Sequence, residues 1–589
     1  MEEARRMNAA RRKKKTSPEE RRPFPFRVHA PQLNAIIAVV LTSAAAAAMM
    51  AFHITWPWIL AAGFAITAIA TVLFKDAGLL QWIGVWFRWF RSHKTNPALA
   101  GPIDDVLDIE MPDGEGFAGV RWDGNYLVAI VALWPQPHTP TVISEGRPAT
   151  IDTVPLSVIA DGLWQNEISL SGIDVVAVGR RTSGDTAYAA LYDQIVGLEP
   201  ATTAQRTWLV LRMPFDPGSD AVLHRGGGIE GANRAIVYAA RRLARSLREN
   251  NCLATVASKA EFRTAHTALA TGLTHAQDQE EVDIQRGTIG GAAGHVTTYR
   301  MRPQDLTNEN LSIWWSYRSP ATTTVTRATT TTTVLRIEPR NGAGRPDRRV
   351  EVRAWIRHIT AEAPGAHDRL PRLIRQYGDQ YDAFVTTMPF GAKSLAAQSR
   401  MVLSKAALLQ PSELDFLRIP VGPSGQLVGR NQLGHNYFLP FAQAGKVTRI
   451  YIKASLRVAQ QQLLRSLAGG STCRIVSNRP EQWYPMLRRL SEPNRLWLHP
   501  DPSARIASVH VCDGVPVNYP PGLVTLIMIE TGSPADADIV IWEDAHGRVT
   551  VTSGHETVVD EKGNLVVRPN RPEPITLYGA REESRYLVS

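Results

Sequence analysis

A chain of 589 residues is long enough for several domains at roughly 100–200 residues each, and 44% hydrophobic with 20% charged residues fits a folded globular body carrying a small membrane element. The formal net charge is +10, but ten Arg and Lys against four Glu fall in the first 30 residues, so the basic excess is largely one arm. Cys252, Cys473 and Cys512 are far apart and form no CxxC pair, which leaves no visible zinc ligand set and fits a reduced compartment.

The basic arm spans residues 1–30. It suits an anionic lipid surface, where each basic residue contributes on the order of 1 kcal/mol; a nucleic-acid tail is the rival reading, weakened because the arm abuts an apolar run. From Val28 to Phe74 there is no Asp, Glu, Lys or Arg. One spanning helix needs about 20 apolar residues, so residues 31–75 read as a transmembrane hairpin, with helices at about 35–54 and 58–74. The turn His53–Trp58 carries Pro57 at its bend, and Trp56 and Trp58 suit the headgroup layer. The run is too long for a cleavable signal core. Positive charge on both flanks predicts a multi-pass membrane protein with its N-terminus and its large C-terminal region cytoplasmic.

Residues 76–95 interleave apolar residues with Arg88 and Arg91, and place Trp82, Trp86 and Trp89 on one helical face. An interfacial helix is expected there; a core helix of the soluble body shows the same pattern.

Beyond residue 95 the predicted architecture is an α/β body with α+β elements. It is read as a first region over 96–345, a second over 346–520 and a strand-rich tail over 521–589. Gly119 to Trp134 reads as a β-hairpin turning at Asp123-Gly124-Asn125. A helix is expected over Val154 to Asn166, and strands over Ile173 to Val178 and Thr207 to Met213. A long helix follows from Ile229 to Asn250. Its apolar face is Ile236, Ala240, Leu243 and Leu247, and its other face carries Arg234, Arg241, Arg245 and Arg248. That Arg stripe suits an acidic partner surface or lipid headgroups, and equally a solvated helix face. Leu253 to Ala257 would be the next strand, giving a strand–helix–strand unit. Strands follow over Val296–Met301, Thr322–Ile337 and Val350–Ile359, with a helix near Leu370–Tyr377. A second strand–helix–strand unit lies at Val447–Ile452, Leu456–Leu467 and Thr472–Ser477, its helix ended by Gly469-Gly470. In the tail, Leu523–Glu530, Ala537–Trp542, Val549–Thr552 and Leu565–Arg568 suggest a small β-meander.

No motif reaches a catalytic hypothesis. Gly226 to Gly231 precedes a helix, as phosphate loops do, but Ala232 and Asn233 stand where a Walker loop needs Lys and Ser or Thr. Gly287 to Gly294 runs into a strand. His555-Glu556 lacks the second His of a zinc-protease helix, and no Gly-x-Ser-x-Gly elbow occurs. Asp104-Asp105 and the pair Asp536 and Asp538 read as solvated acids. No cofactor and no metal site is expected.

Several segments together resemble a known family. They are the basic arm and hairpin, Gly294-His295-Val296-Thr297-Thr298-Tyr299-Arg300, the Trp314-Trp315 pair, the Thr-rich strand Thr329 to Ile337, Gly429 to Pro440, Val447 to Leu467, and Cys473 to Trp483 with Arg479-Pro480. The combination resembles the EccE family, the E component of type VII (ESX) secretion systems. The likeness is architectural and covers most of the chain, and the segment around Arg479-Pro480 and Trp483 comes nearest to a signature. It implies a non-enzymatic subunit that braces an inner-membrane protein-export complex, with EccB, EccC and EccD as partners, contact with lipid and none with nucleic acid. A membrane-anchored α/β enzyme, such as a transferase, is the alternative.

Overall fold

The structure is a computed structural model. It describes most of residues 105–587, with gaps at 274–281, 314–327, 341–347, 560–564 and 577–582 and in shorter loops, and only scattered residues before 105. The chain divides into two units, residues 1–94 with 401–403, and residues 95–400 with 404–589. In the first unit, Phe26–Val28 pairs antiparallel with Val72–Phe74, which pairs in turn with Ala77–Gly78. Most of the two expected spans lies outside the described residues. Among those described, no helix is long and apolar enough to cross a membrane, and Val72–Phe74 is strand where the second span was expected to end.

The second unit contains two large sheets. The first is antiparallel throughout its main path. Its strands are β1 (Val106–Glu110), β2 (Phe117–Asp123), β3 (Tyr126–Trp134), β4 (Gly172–Arg180), β5 (Ala204–Pro214), β6 (Leu253–Val256), β7 (Gly294–Met301), β8 (Ala328–Pro339) and β9 (Val350–Thr360). Their order is β7-β9-β8-β4-β5-β3-β2-β1, with β6 pairing the outer half of β3. The Thr run belongs to β8, where Thr331, Thr332 and Thr333 are buried between β4 and β9. β-branched residues suit such a strand because their χ1 is already restricted and their branches fill the pleated surface.

One face of this sheet is covered by helices α1 (Leu156–Asp161) and α3 (Gly228–Glu249), over a core that includes Ala129, Leu211, Ile236, Leu243 and Leu335. The strand–helix–strand unit β5-α3-β6 is real, but its two strands flank β3 and both run antiparallel to it. The intervening helix α2 (Ala187–Val196) leaves this sheet for the second core. The opposite face is covered by α4 (Lys259–Ala270), α5 (Gln380–Thr386) and α6 (Ala392–Arg400). Asp174 on β4 is buried there between Arg212 of β5 and Arg336 of β8. Arg336 bonds both its carboxylate oxygens at 2.7 and 2.8 Å, and Arg212 reaches Oδ2 at 2.7 Å. The same arginines donate to carbonyls of Thr386 and Phe390, which fastens the α5–α6 segment to the sheet. Burial alone would raise the Asp174 carboxyl, but the two guanidiniums hold it below its ordinary value.

The second sheet holds six parallel strands, β10 (Thr448–Lys453), β11 (Cys473–Ser477), β12 (Leu496–Leu498), β13 (Val509–Asp513), β14 (Thr525–Ile529) and β15 (Ile539–Glu543). They are ordered β12-β11-β13-β14-β10-β15, followed by antiparallel Val549–Ser553 and Glu573–Ile575. Helices α7 (Leu456–Ala468) and α8 (Tyr484–Leu490) cover one face together with α2. The expected C-terminal meander is corrected here. β14 and β15 flank β10 inside the parallel sheet. Neither sheet stops at residue 345 or 520, because β9 closes onto the first and β14 completes the second.

Two other local readings change. The helix expected over Val154–Asn166 ends at Asp161, where Gly162 caps it in close packing against Leu243 and Trp164–Gln165 goes on as a strand paired with Ile168–Ser169. The segment Leu370–Tyr377 is not helical. Leu373–Arg375 pairs with β7, and the helices lie further on at α5 and α6.

Candidate functional site

The Arg stripe lies where the periodicity placed it, on the outer face of α3. Arg234, Arg245 and Arg248 are exposed and Arg241 is half-buried. Arg234 meets Glu230 one turn earlier at 3.3 Å, and Arg248 donates to the Ala254 carbonyl at 3.0 Å. The Gly-rich segment before this helix is a packing device. Gly226, Gly227 and Gly228 all have positive φ, and a Cβ at Gly231 would sit 2.4 Å from the Val222 carbonyl oxygen. Its glycines serve a turn and a close approach, with no lysine to meet a phosphate. Of the expected interfacial tryptophans, Trp86 is helical, half-exposed and stacked on Phe90 at 5.9 Å. Trp56, Trp58, Trp82 and Trp89 lie outside the described residues.

The Cys473–Trp483 segment resolves into one clamp. Ser477 ends β11 and stands in register with Asp513, which ends β13. Asp513 is fully buried and accepts from Arg479 Nη2 at 2.7 Å, Ser477 Oγ at 2.7 Å and Trp483 Nε1 at 2.9 Å. Burial opposes its ionisation, but these donors keep its carboxyl below the ordinary value. Open parallel sheets place ligands beyond the carboxyl ends of their strands. Here that place is taken by the chain's own Arg479, so the segment is a tie between β11, β13 and α8. Asp513 was not singled out from the sequence; an acid closing an apolar run, Val509-His510-Val511-Cys512-Asp513, is the signal that was available.

A cleft of about 360 Å³ opens between the two sheets, lined by Trp134, Arg180, Arg206 and Trp208 on one side and by Ser471 and Thr525 on the other. Arg206 lies 5.5 Å over the Trp134 ring and meets Glu261 at 3.2 Å, and Trp208 donates to the same carboxylate at 3.0 Å. Among the described residues the lining offers no His or Cys, and its one carboxylate already accepts two donors. Also among the described residues, no group of three His, Cys, Asp or Glu is placed to hold a metal. Such a cleft can seat an amphipathic segment, but it shows no nucleophile beside a base.

Arg206, Trp208 and Glu261 at this cleft, and the Arg stripe of α3, lie in the part of the chain that a family model recognises. Residues 201–301 match the family model described as "Putative type VII ESX secretion system translocon, EccE". The ESX-1 secretion system protein EccE1 of Mycolicibacterium smegmatis is 27% identical over 442 residues, covering 74% of this chain and 80% of that protein. EccE1 of Mycobacterium tuberculosis is 30% identical over 213 residues, covering 36% of this chain and 45% of that one. The ESX-5 protein EccE5 of Mycobacterium marinum is 25% identical over 382 residues, 62% and 86% of the two lengths. The fold is a mixed α/β one, and these likenesses are to EccE proteins of type VII (ESX) secretion systems, to one of which the chain is similar over 74% of its length.

Proposed function

We propose that this chain is a structural, non-enzymatic subunit of an ESX inner-membrane complex, tethered through residues 31–75 and bracing the assembly for protein export. The observation that carries this reading is the likeness to an ESX-1 secretion protein across 74% of the chain. The body supports it. Its buried charges, Asp174, Asp513 and Glu583, are each engaged by arginines of neighbouring elements and hold the fold together. EccB, EccC and EccD are the expected partners, with the exposed Arg stripe of α3 as the docking face.

The test is a mild-detergent pull-down of the tagged protein from native membranes, resolved on a blue native gel with mass spectrometry of the bands. Co-migration with EccB, EccC and EccD in a very large complex is expected. A lone small species that persists across gentle detergents would refute the reading. The cleft between the sheets favours one rival, a membrane-anchored transferase. A large, reproducible thermal shift of the full chain with nucleotide sugars and divalent metals would bring that rival forward.

A further inference from the structure

Among the described residues, one face of the parallel sheet has no helix on it. Helices α2, α7 and α8 pack on the side of Ile450, Ile475, Val511 and Ile527. The other side carries Tyr451, Cys512, Leu526 and Met528, with loop residues such as Val515, Val517 and Leu523 packed against them. At one end of this second face the apolar pattern breaks. Arg474 of β11 is in register with Trp497 of β12 and with His510 of β13. In-register residues of parallel strands project to the same side, so these three side chains stand in one row.

Each of the three carries a buried nitrogen without a hydrogen-bond partner: Arg474 Nε, Trp497 Nε1 and His510 Nδ1. Trp497 is 5% and His510 1% exposed, so both stand away from bulk solvent. Native interiors rarely leave one such donor unpaired, and three side by side on adjacent strands call for an explanation. The surroundings are basic. Arg474 Nη2 lies 2.6 Å from His499 Nδ1, and a guanidinium can only donate. That bond makes His499 Nδ1 the acceptor and leaves its Nε2 to carry a proton at the exposed end. Arg505 sits 4.5 Å over the Trp497 ring. Among the described residues, Arg474 makes no ion pair with a carboxylate. Burial, with the Arg474 charge behind it, takes His510 down to about 4, so its ring is neutral near pH 7 and free to present an N–H.

We propose that Arg474, Trp497 and His510 form a binding site for a phosphate-class oxyanion, with His499 at its rim. A tetrahedral oxyanion offers acceptors to several donors at once, which matches three N–H groups and a guanidinium charge better than the two oxygens of a carboxylate. The phosphate can belong to a soluble phosphate or phosphate ester, or to a lipid headgroup. The chemistry at the site is the same.

The test uses the full chain in mild detergent. Inorganic phosphate is titrated by calorimetry at low ionic strength, alongside capture on phosphatidylglycerol and on phosphatidylcholine vesicles. Arg474→Gln removes the charge. Trp497→Phe keeps the ring beneath Arg505 and removes only the N–H, so it tests the site even where Arg474→Gln fails to fold. Saturable phosphate binding, weakened about tenfold by Arg474→Gln and several-fold by Trp497→Phe, is expected for a soluble ligand. Phosphatidylglycerol capture that Trp497→Phe diminishes, with no response to free phosphate, assigns the headgroup. The basic arm of residues 1–30 also favours anionic vesicles, so only the difference between wild type and variant counts. Binding that is absent in both arms, or unchanged in both variants, overturns the site.

Discussion

Glu583 is the point at which a single substitution should cost the body most. Its carboxylate is fully buried and accepts from Arg465 Nε at 3.1 Å, Arg465 Nη2 at 3.0 Å, Gln461 Nε2 at 3.0 Å and Tyr188 Oη at 2.7 Å. Arg465 has no exposed surface either. Glu583→Ala leaves a guanidinium uncompensated in the core, and breaking a buried pair in this way costs about 3–5 kcal/mol. Arg465 keeps the Leu427 and Val428 carbonyls as acceptors, which places the expected loss near the lower end, about 3 kcal/mol. For a domain of about 150–250 residues each kcal/mol moves Tm by roughly 2–4 °C, so the parallel-sheet lobe should melt about 6–12 °C lower. The assay is thermal unfolding of the full chain followed by near-UV dichroism. The double change Arg465→Met with Glu583→Leu should recover much of the loss, because both charges then leave the core together. A single-variant shift below about 1 °C, or a double variant worse than Glu583→Ala, would refute this account of the lock. The pair also sets a pH dependence. Burial opposes ionisation of Glu583, but Arg465 holds its carboxyl below the ordinary 4.5. The stabilisation is therefore complete above about 4.5 and is lost as pH falls through the lower folded value.

Other outcomes can be checked alongside it. Three buried histidines, His266, His358 and His510, are pushed down to about 4, about 3 and about 4. Their ordinary value is 6.5, so stability should fall as pH drops from 6.5 toward 4, by up to about 1.4 kcal/mol per histidine per pH unit. A flat Tm between pH 6.5 and 4.5 would contradict their burial as neutral rings. Asp174→Asn should destabilise by roughly 3–5 kcal/mol and open the α5–α6 segment to proteolysis, since Arg212 and Arg336 lose their shared carboxylate; an unchanged cleavage pattern would count against that role. Arg245→Glu, at an exposed position, should leave the melting of the isolated protein within about 0.5 kcal/mol of wild type, and Arg241→Glu with Arg245→Glu should reduce its recovery in the large native-gel complex. Intact complex from that variant would remove α3 as the docking face. Arg479→Lys should weaken the tie between β11 and β13, because a lysine cannot reproduce the two-nitrogen contact with Asp513, and faster amide exchange at residues 473–477 and 509–513 reports it.

How much was legible follows the physics of each segment. Local signals held. Asp123-Gly124-Asn125 turned the chain between β2 and β3, with Gly124 at φ 65°, and the 3.6-residue period of α3 separated its buried face from its arginines. The strand content of the Thr run was readable because β-branching acts within one residue. What failed depended on partners remote in sequence. A strand–helix–strand run looks the same whether its second strand lands beside the first or across β3, so β5-α3-β6 did not announce an antiparallel sheet. Leu373–Arg375 carries a helix-compatible pattern, and only pairing with β7 makes it a strand. The buried charges were the largest omission. Asp174 sits in a strongly apolar strand, where a charged residue on the inward phase was a visible anomaly, but its counter-charge Arg336 is 162 positions away in the Thr-rich strand. The Arg474, Trp497 and His510 row was hidden for the same reason, since three strands contribute one residue each.

The weaving of α2 into the second core also sets a schedule for synthesis. Tyr188, on α2, waits for a partner 395 positions further along the chain. At about 5–20 residues per second that interval is roughly 20–80 s. For the first part of it, until residues 448–468 have been made, the apolar flank of α2, with Tyr192 and Leu191 beside Tyr188, has no β10 or α7 to cover it. The nascent chain must therefore carry an uncovered sticky helix through that stretch of its translation. Chaperone engagement, or a slowing of the ribosome, should matter most between the codons for residues 197 and 448, well before the segment that finally closes the body has been made.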